Sequence, residues 1–174
     1  MVRAVFPGTF DPIHYGHIDI ARRASTLFDE IIVAVYDKPL KTLLFSPEER
    51  MQLTRDAFAN DKKIVVTGYS GLTIQFCRDV NAKVMVRGLR VFSDFEHEFR
   101  IALANKRLAP DIEIVALITN QDHMFISSTT VREVASLGGD ISSMVPPQVE
   151  MALKKRYSET VEGQSPFPMT SLRD

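Results

Sequence analysis

Residues 3–17 have the sequence RAVFPGTFDPIHYGH. Its start, Arg3–Phe6, is a short apolar run of the kind that forms a buried strand. Pro7 and Gly8 then interrupt the run and open a loop. Beyond the loop, apolar residues recur at helical spacing, at Ile18, Ala21, Ala24 and Phe28. A strand, a glycine-containing loop and a helix start form the first half of a βαβ unit, so this stretch predicts a parallel sheet covered by helices.

The rest of the chain repeats this alternation. Five Val- and Ile-rich runs predict strands: Arg3–Phe6, Glu30–Tyr36, Lys63–Gly68, Lys83–Arg87 and Ile112–Ile118. Predicted helices start near 18, at Pro47 (capped by Ser46), and near 72, 94, 130 and 146, the last reaching about 156. Continuous apolar strands suit a parallel sheet covered on both faces. We predict one Rossmann-like, doubly wound α/β domain with a five-stranded parallel sheet over residues 1–157, and a mobile tail over 158–174.

Composition excludes several classes of protein. The 174 residues carry 21 Lys and Arg against 22 Asp and Glu, which argues against a protein that coats nucleic acid. One cysteine, Cys77, allows neither an internal disulfide nor a cysteine-rich zinc site. No signal peptide is evident, and no apolar stretch approaches the roughly 20 residues of a membrane span. We expect a cytoplasmic protein with no membrane partner.

The first loop has features of an anion site. Open parallel sheets bind ligands outside the carboxyl ends of their strands. Gly8 allows close approach of the backbone, and a helix start attracts anions. His14 and His17 project to one side and can donate hydrogen bonds to phosphate. A zinc pair and a structural pair that bonds backbone groups are the alternatives. Neither a P-loop nor a G-x-G-x-x-G pattern occurs, which argues against ordinary kinases and dinucleotide enzymes.

Basic residues follow the second and fourth predicted strands. Lys41 precedes a well-capped helix and is suited to phosphate, whereas Lys38 is interpreted as a solvated loop residue. Arg87 and Arg90 lie at the end of the fourth strand, and guanidinium groups grip phosphates with two hydrogen bonds. Salt bridges with the acidic run at 94–98 are the alternative. We favour ligand contact, because two buried arginines are costly without an anionic partner.

A cluster of hydroxyl groups follows the fifth strand. Helix capping explains one of them, and we assign that role to Thr130. Ser127, Ser128 and Thr129 exceed what one cap needs. Hydroxyls beside free N–H groups at a helix start predict a second anion-binding site.

These segments carry a family resemblance. Residues 8–17, GTFDPIHYGH, resemble the signature of the nucleotidylyltransferase superfamily, whose core is His-x-Gly-His. RGLR at 87–90, DFEHE at 94–98 and FISS at 125–128 narrow the resemblance to bacterial phosphopantetheine adenylyltransferases, over about residues 2–157. The resemblance implies transfer of AMP from ATP to 4′-phosphopantetheine, which gives dephospho-coenzyme A and pyrophosphate. It also implies a homohexamer, Mg²⁺ carried with ATP and feedback inhibition by coenzyme A.

The resemblance also implies roles for individual residues. Catalytic roles fall to His17, Lys41 and Arg90. The implied ATP-binding residues are Thr9, Phe10, His14, His17, Gly88, Leu89, Arg90, Glu98, His123, Met124, Phe125, Ile126, Ser127, Ser128 and Thr129. The implied acceptor-binding residues are Thr9, Lys41, Thr73 and Arg87. The sequence departs from the family pattern at His123, where Trp or Tyr is common, and at Thr73, where a larger apolar residue is usual. No carboxylate cage for a metal is evident.

Two other functions stay open at this point. One is a nucleotidylyltransferase that uses nicotinamide mononucleotide or a polyol phosphate as acceptor. The other is a non-catalytic oligomer that binds nucleotide or coenzyme A. In the enzymatic case the acceptor's own phosphate is the nucleophile, so the protein has to supply alignment and charge stabilisation.

Overall fold

The computed structural model describes residues 1–39 and 42–161, with backbone alone at 160 and 161. Strands and helices alternate through it. The strands are β1 (Arg3–Gly8), β2 (Glu30–Tyr36), β3 (Ile64–Tyr69), β4 (Val84–Leu89) and β5 (Glu113–Ile118). The helices are α1 (Tyr15–Leu27), α2 (Pro47–Ala57), α3 (Thr73–Asp79), α4 (Phe92–Leu108), α5 (Ser128–Ser136) and α6 (Pro147–Val161). A short 3-10 turn spans Gln121–His123.

The five strands form one sheet in the order β3-β2-β1-β4-β5. All four pairings are parallel, which confirms the predicted fold class. The chain order reverses between β1 and β4. In open α/β sheets this reversal leaves a crevice at the carboxyl ends of the strands.

Both faces of the sheet are covered. Alternate residues of β1 enter different cores: Phe6 packs in a core with Ile20 of α1, and Val5 packs in a core with Ile74 and Cys77 of α3. This two-sided burial explains why the strands have continuous apolar runs. Burial raises the pKa of the Cys77 thiol to about 11, so Cys77 is a buried apolar residue, as its position beside Phe76 suggests.

The predicted cap of α5 and the predicted end of α6 were wrong, and α1 and α4 start three and two residues earlier than predicted. The N-cap of α5 is Ser127, whose hydroxyl accepts the Thr130 N–H at 3.0 Å, so Thr130 lies in the first turn. Two hydroxyl residues three apart both fit a cap, and the chain uses the earlier one. Helix α6 runs to Val161 instead of ending near Arg156, so the first residues of the predicted tail are helical. Residues 162–174 of that tail lie outside the described residues.

The predicted start of α2 is confirmed. Ser46 accepts from the Glu49 N–H, and the Glu49 carboxylate accepts from the Ser46 N–H at 2.8 Å. Within residues 1–39 and 42–161, no helix is both long and apolar enough to cross a membrane.

Candidate active site

A cavity of about 770 Å³ lies at the carboxyl ends of the strands. The loop after β1 forms its centre, and α1 begins there. The ends of β4 and α5 border one side, and the ends of β2 and β3 with α3 border the other. Helix α4 adds a wall along its polar face. The cavity is therefore at the place where the strand order reverses, as the fold predicts.

The two histidines of the first loop face this cavity as a stacked pair. The ring centroids of His14 and His17 are 3.6 Å apart, and the rings are nearly parallel. The edge of Phe10 packs against His17, with the centroids 4.9 Å apart. Burial, then the nearby charges of His17, Arg90 and His123, hold the pKa of His14 well below its usual range. His14 is therefore neutral near pH 7 and has one N–H to donate.

His14 also carries an unsatisfied polar atom. Its Nδ1 is buried and has no hydrogen-bond partner among the described residues. Buried polar atoms in proteins are nearly always paired, so an exception beside a cavity indicates a place for a ligand or an ordered water. The zinc-pair alternative needs further ligands, and within residues 1–39 and 42–161 no cluster of three His, Cys, Asp or Glu residues is placed to hold a metal ion.

Gly16 lies against the histidine pair, where a side chain would be too close to the His14 ring. A Cβ at this position would lie 3.1 Å from the His14 ring. We expect Gly16→Ala to displace the stacked rings by a few tenths of an ångström and to lower kcat by about tenfold, because small misplacements in an aligned site are costly. Steady-state kinetics would measure this. The matched control is Gly68→Ala, where the nearest atom is Met51 Sδ at 3.6 Å. Equal kcat values for the two variants would contradict the prediction.

Asp11 fixes the first loop to two neighbouring helices. Its carboxylate is fully buried and accepts the backbone N–H groups of Leu44 and Phe45 at 2.8 and 2.9 Å. The Arg132 guanidinium on α5 donates to the same carboxylate at 2.7 Å. Asp11 thereby joins the first loop to the start of α2 and to α5. The neighbouring residue Phe10 has a φ of +48°, a conformation that non-glycine residues adopt at a cost and that these contacts help to hold.

Both arginines of β4 and its loop line the cavity, and both are paired with carboxylates of α4. Arg87 meets Glu98 through two hydrogen bonds of 2.5 and 2.7 Å. Arg90 meets Asp94 at 3.1 Å and also donates to the carbonyl of Ile126. The salt-bridge alternative of the sequence analysis is therefore present for both arginines. The acidic residues are within reach because α4 starts directly after β4 and returns over the strand ends.

The hydroxyl cluster forms the side of the cavity near α5. Ser127, Ser128 and Thr129 all border it. Ser127 caps the helix, and Ser128 donates to the carbonyl of Pro12 at 2.9 Å, which links α5 to the first loop. With the N–H groups of the first turn of α5, this side offers hydrogen-bond donors for an anion.

The opposite side of the cavity is more apolar. Tyr36 and Tyr69 end β2 and β3, with ring centroids 5.1 Å apart. The Tyr69 hydroxyl lies 2.9 Å from that of Thr73, and burial raises the pKa of Tyr69. Leu72 and Ile74 complete this wall. Sequence reasoning missed the tyrosines, although both stand at strand ends, where a ligand site is expected.

The structure brings most of the predicted site residues to the cavity, but not all. Those that border it are Thr9, Phe10, His14, His17, Thr73, Arg87, Gly88, Arg90, Glu98, Ser127, Ser128 and Thr129. Those that do not are Leu89, His123, Met124, Phe125 and Ile126. Ile126 is buried, Phe125 is 58% exposed, and His123 lies beside Tyr15 with ring centroids 6.2 Å apart. Lys41 lies outside the described residues.

Comparisons with known proteins agree with this geometry. Residues 5–134 match the model of the cytidylyltransferase-like family. A phosphopantetheine adenylyltransferase from Roseiflexus sp. (strain RS-1) is 52% identical over 157 residues, which cover 90% of this chain and 98% of the relative. The chain belongs to the phosphopantetheine adenylyltransferase family. Relatives with the same name from Heliobacterium modesticaldum and Herpetosiphon aurantiacus are 47% and 44% identical, and each alignment covers 95% of this chain and 99% or more of the relative.

The alignments with these relatives extend over nearly their full length. The matched region includes the histidine pair, both arginines and the hydroxyl cluster. The predicted family and fold class are therefore confirmed, and the non-catalytic alternative loses its support.

Proposed function

We propose that this chain transfers AMP from ATP to 4′-phosphopantetheine by direct in-line attack, giving dephospho-coenzyme A and pyrophosphate. One observation carries the proposal. A single cavity brings the stacked histidines, two arginines and the hydroxyls of α5 around the start of α1. These groups suit two anionic substrates that react with each other, because all of them bind or stabilise negative charge.

The two sides of the cavity suit different substrates. ATP binds on the side of β4 and α5, where Ser127–Thr129 and the first turn of α5 offer hydrogen-bond donors. The acceptor's pantetheine arm binds on the apolar side, along Tyr69, Leu72 and Thr73. Thr9 lies between the two sides, where the acceptor phosphate would meet the α-phosphate of ATP.

The chemistry needs no protein nucleophile. An oxygen of the acceptor phosphate, ionised near neutral pH, forms a bond to the α-phosphorus of ATP. The bond from that phosphorus to the bridging oxygen breaks, and pyrophosphate leaves with the electron pair. His17 and Arg90 stabilise the charge that develops in the transition state.

The remaining basic residues serve the acceptor. In this structure the Arg87 guanidinium is paired with Glu98. When the acceptor is present, its phosphate replaces Glu98 as the partner of Arg87. Lys41, which follows β2 in the sequence, supplies a second positive charge. Glu98, once released, is available to the ATP side.

Magnesium enters as part of the nucleotide substrate. The carboxylates that border the cavity are Asp94 and Glu98, and arginines hold both of them. Phosphate oxygens and water are the ligands that Mg²⁺ commonly keeps when it is bound with a nucleotide. The residues described here thus fit a bound Mg–ATP complex better than a resident metal ion.

The outer face of α4 supports the proposed homohexamer. Phe92, Phe95, Phe99 and Leu103 are 84%, 50%, 51% and 59% exposed, and they follow helical spacing. Large contiguous apolar surfaces on a soluble domain mark interaction sites. We expect sedimentation to give the mass of six chains and Phe99→Glu to shift it to smaller species. A monomeric parent protein would contradict the proposal.

Inhibition by coenzyme A and a cytoplasmic location complete the proposed function. Coenzyme A combines the pantetheine arm of the acceptor with the adenosine of ATP, so it can occupy both sides of one cavity. We expect its inhibition to be competitive with the acceptor. The family resemblance supports both proposals.

The direct test is product formation. The purified chain is incubated with Mg–ATP and 4′-phosphopantetheine, and dephospho-coenzyme A and pyrophosphate are measured. Parallel reactions pair ATP or CTP with nicotinamide mononucleotide or glycerol 3-phosphate. We expect rapid turnover with the first pair alone. Turnover with another acceptor would support nucleotidyl transfer and overturn the assignment of phosphopantetheine as acceptor. Binding of substrates without turnover of any pair would overturn the enzymatic function.

A further inference from the structure

Arg50 is a buried charge with an unusual set of partners. Its side chain projects from α2 and is 0% exposed. Among the described residues, no carboxylate lies within ion-pair distance of it. Instead the guanidinium donates to four backbone carbonyls, those of Thr9, Tyr36, Asp37 and Phe45, at 2.8, 2.6, 3.3 and 3.3 Å. Burying a charge is costly, so this set of bonds compensates a large penalty.

Two of these carbonyls belong to neighbouring strands at the point where their pairing stops. The β1–β2 ladder ends with the pair Gly8 and Val35. Thr9 and Tyr36 are the next residues in register. One nitrogen of Arg50, Nη1, bonds the carbonyls of both. The guanidinium therefore continues the ladder by one step, toward the cavity.

The bond from Arg50 fixes the position of Thr9 at the edge of the active site. Thr9 lines the cavity, as does Tyr36. Directly after Thr9 the chain turns through Phe10 with its positive φ, and the Phe10 ring packs against His17. Without the bond from Arg50, the Thr9 carbonyl would lose the contact that fixes where this turn begins. Movement there would reach both Thr9 and His17.

We propose that Arg50 is a positioning residue that aligns the acceptor phosphate by fixing Thr9 at the junction of β1 and β2. The resemblance implies contacts of Thr9 with both ATP and the acceptor. The inference rests on the proposed function, because it concerns the acceptor contact. Lysine could not replace this arrangement. Its single ammonium nitrogen lacks the planar fork that reaches four carbonyls from one buried position.

The test compares Arg50→Lys with Arg55→Lys, the same substitution at an exposed position of the same helix. We expect Arg50→Lys to lower kcat by about tenfold and raise the KM for phosphopantetheine by about tenfold, with the KM for ATP within twofold of the parent value. Arg55→Lys should match the parent in all three. A folded Arg50→Lys enzyme with parental kinetics, or with the loss confined to the KM for ATP, would overturn the inference.

A second variant decides the question if Arg50→Lys does not fold. Replacing Phe10 with its α-hydroxy analogue turns the Thr9 carbonyl into an ester carbonyl, a weaker acceptor, and leaves Arg50 in place. We expect the same pattern, with a smaller loss in kcat and in the KM for the acceptor. Parental kinetics in this variant would overturn the inference. A parent protein that makes no dephospho-coenzyme A would instead overturn the proposed function, and the inference with it.

Discussion

Replacing His17 with alanine is expected to lower kcat about a hundredfold, close to 2.7 kcal/mol of transition-state stabilisation. His17 lies at the centre of the cavity, stacked on His14 and packed by the edge of Phe10. Its ring is therefore held in place before substrate arrives. A preorganised donor of this kind acts mainly on the transition state, so the KM values should change little. Steady-state kinetics with both substrates varied would measure the effect.

The control for His17→Ala is the integrity of the fold and of ATP binding. Circular dichroism and the Kd for ATP should match those of the parent protein, because the anchors of the loop are Asp11 and Arg50 and both remain. A folded His17→Ala protein with the parental kcat would remove His17 from the mechanism. A large rise in the Kd for ATP at unchanged kcat would leave His17 only the ATP-binding role that the resemblance also implies.

The largest effect on stability is expected from Asp11→Ala. The carboxylate of Asp11 is fully buried and satisfies two backbone N–H groups and the Arg132 guanidinium. Its removal leaves the two backbone N–H groups without their partner and leaves the Arg132 guanidinium with the Asp11 backbone carbonyl alone. Breaking a buried pair in this way costs about 3–5 kcal/mol. For a domain of this size we expect Tm to fall by about 6–20 °C, measured by calorimetry.

Asp111→Ala is the matched control for Asp11→Ala. Asp111 also pairs with an arginine, Arg78, but the side chains of both residues are 40% exposed. Water replaces such a partner readily, so Tm should stay close to the parental value. If the two variants shifted Tm by similar amounts, the anchoring role of Asp11 would be contradicted.

The fold was predicted more completely than the site, because the apolar runs, their spacing and the helix-capping residues all indicated the same alternation of strands and helices. The apolar runs give strands within two residues of their observed ends, and their lack of alternation correctly indicates two covered faces. The capping box at Ser46 and Glu49 is local chemistry, so it was predictable from four residues. The cap of α5 was missed because Ser127 and Thr130 compete for the same role. In the structure the Ser127 hydroxyl is the cap, and nothing in the sequence distinguishes the two residues.

The site was predicted in part, for a similar reason. Residues in the first loop were found because the loop follows directly from β1 in the sequence. The pairs between Arg87 and Glu98 and between Arg90 and Asp94 depend on how α4 returns over β4. The sequence does not display that packing, so ligand contact was favoured over the salt bridges that the structure shows. No sequence pattern indicated a role for Arg50. An arginine in the first turn of a helix is usually solvated. The burial of Arg50 becomes visible only when the ends of β1 and β2 are placed beside it.

We propose that AMP passes directly from ATP to the acceptor phosphate, with no covalent intermediate on the protein. The most direct test is the stereochemistry at phosphorus. The reaction is run with one diastereomer of ATP carrying sulfur at the α-phosphate, and ³¹P NMR identifies the configuration of the thio-substituted dephospho-coenzyme A. One in-line displacement predicts complete inversion. Retention would require two displacements through an adenylylated side chain and would contradict the account.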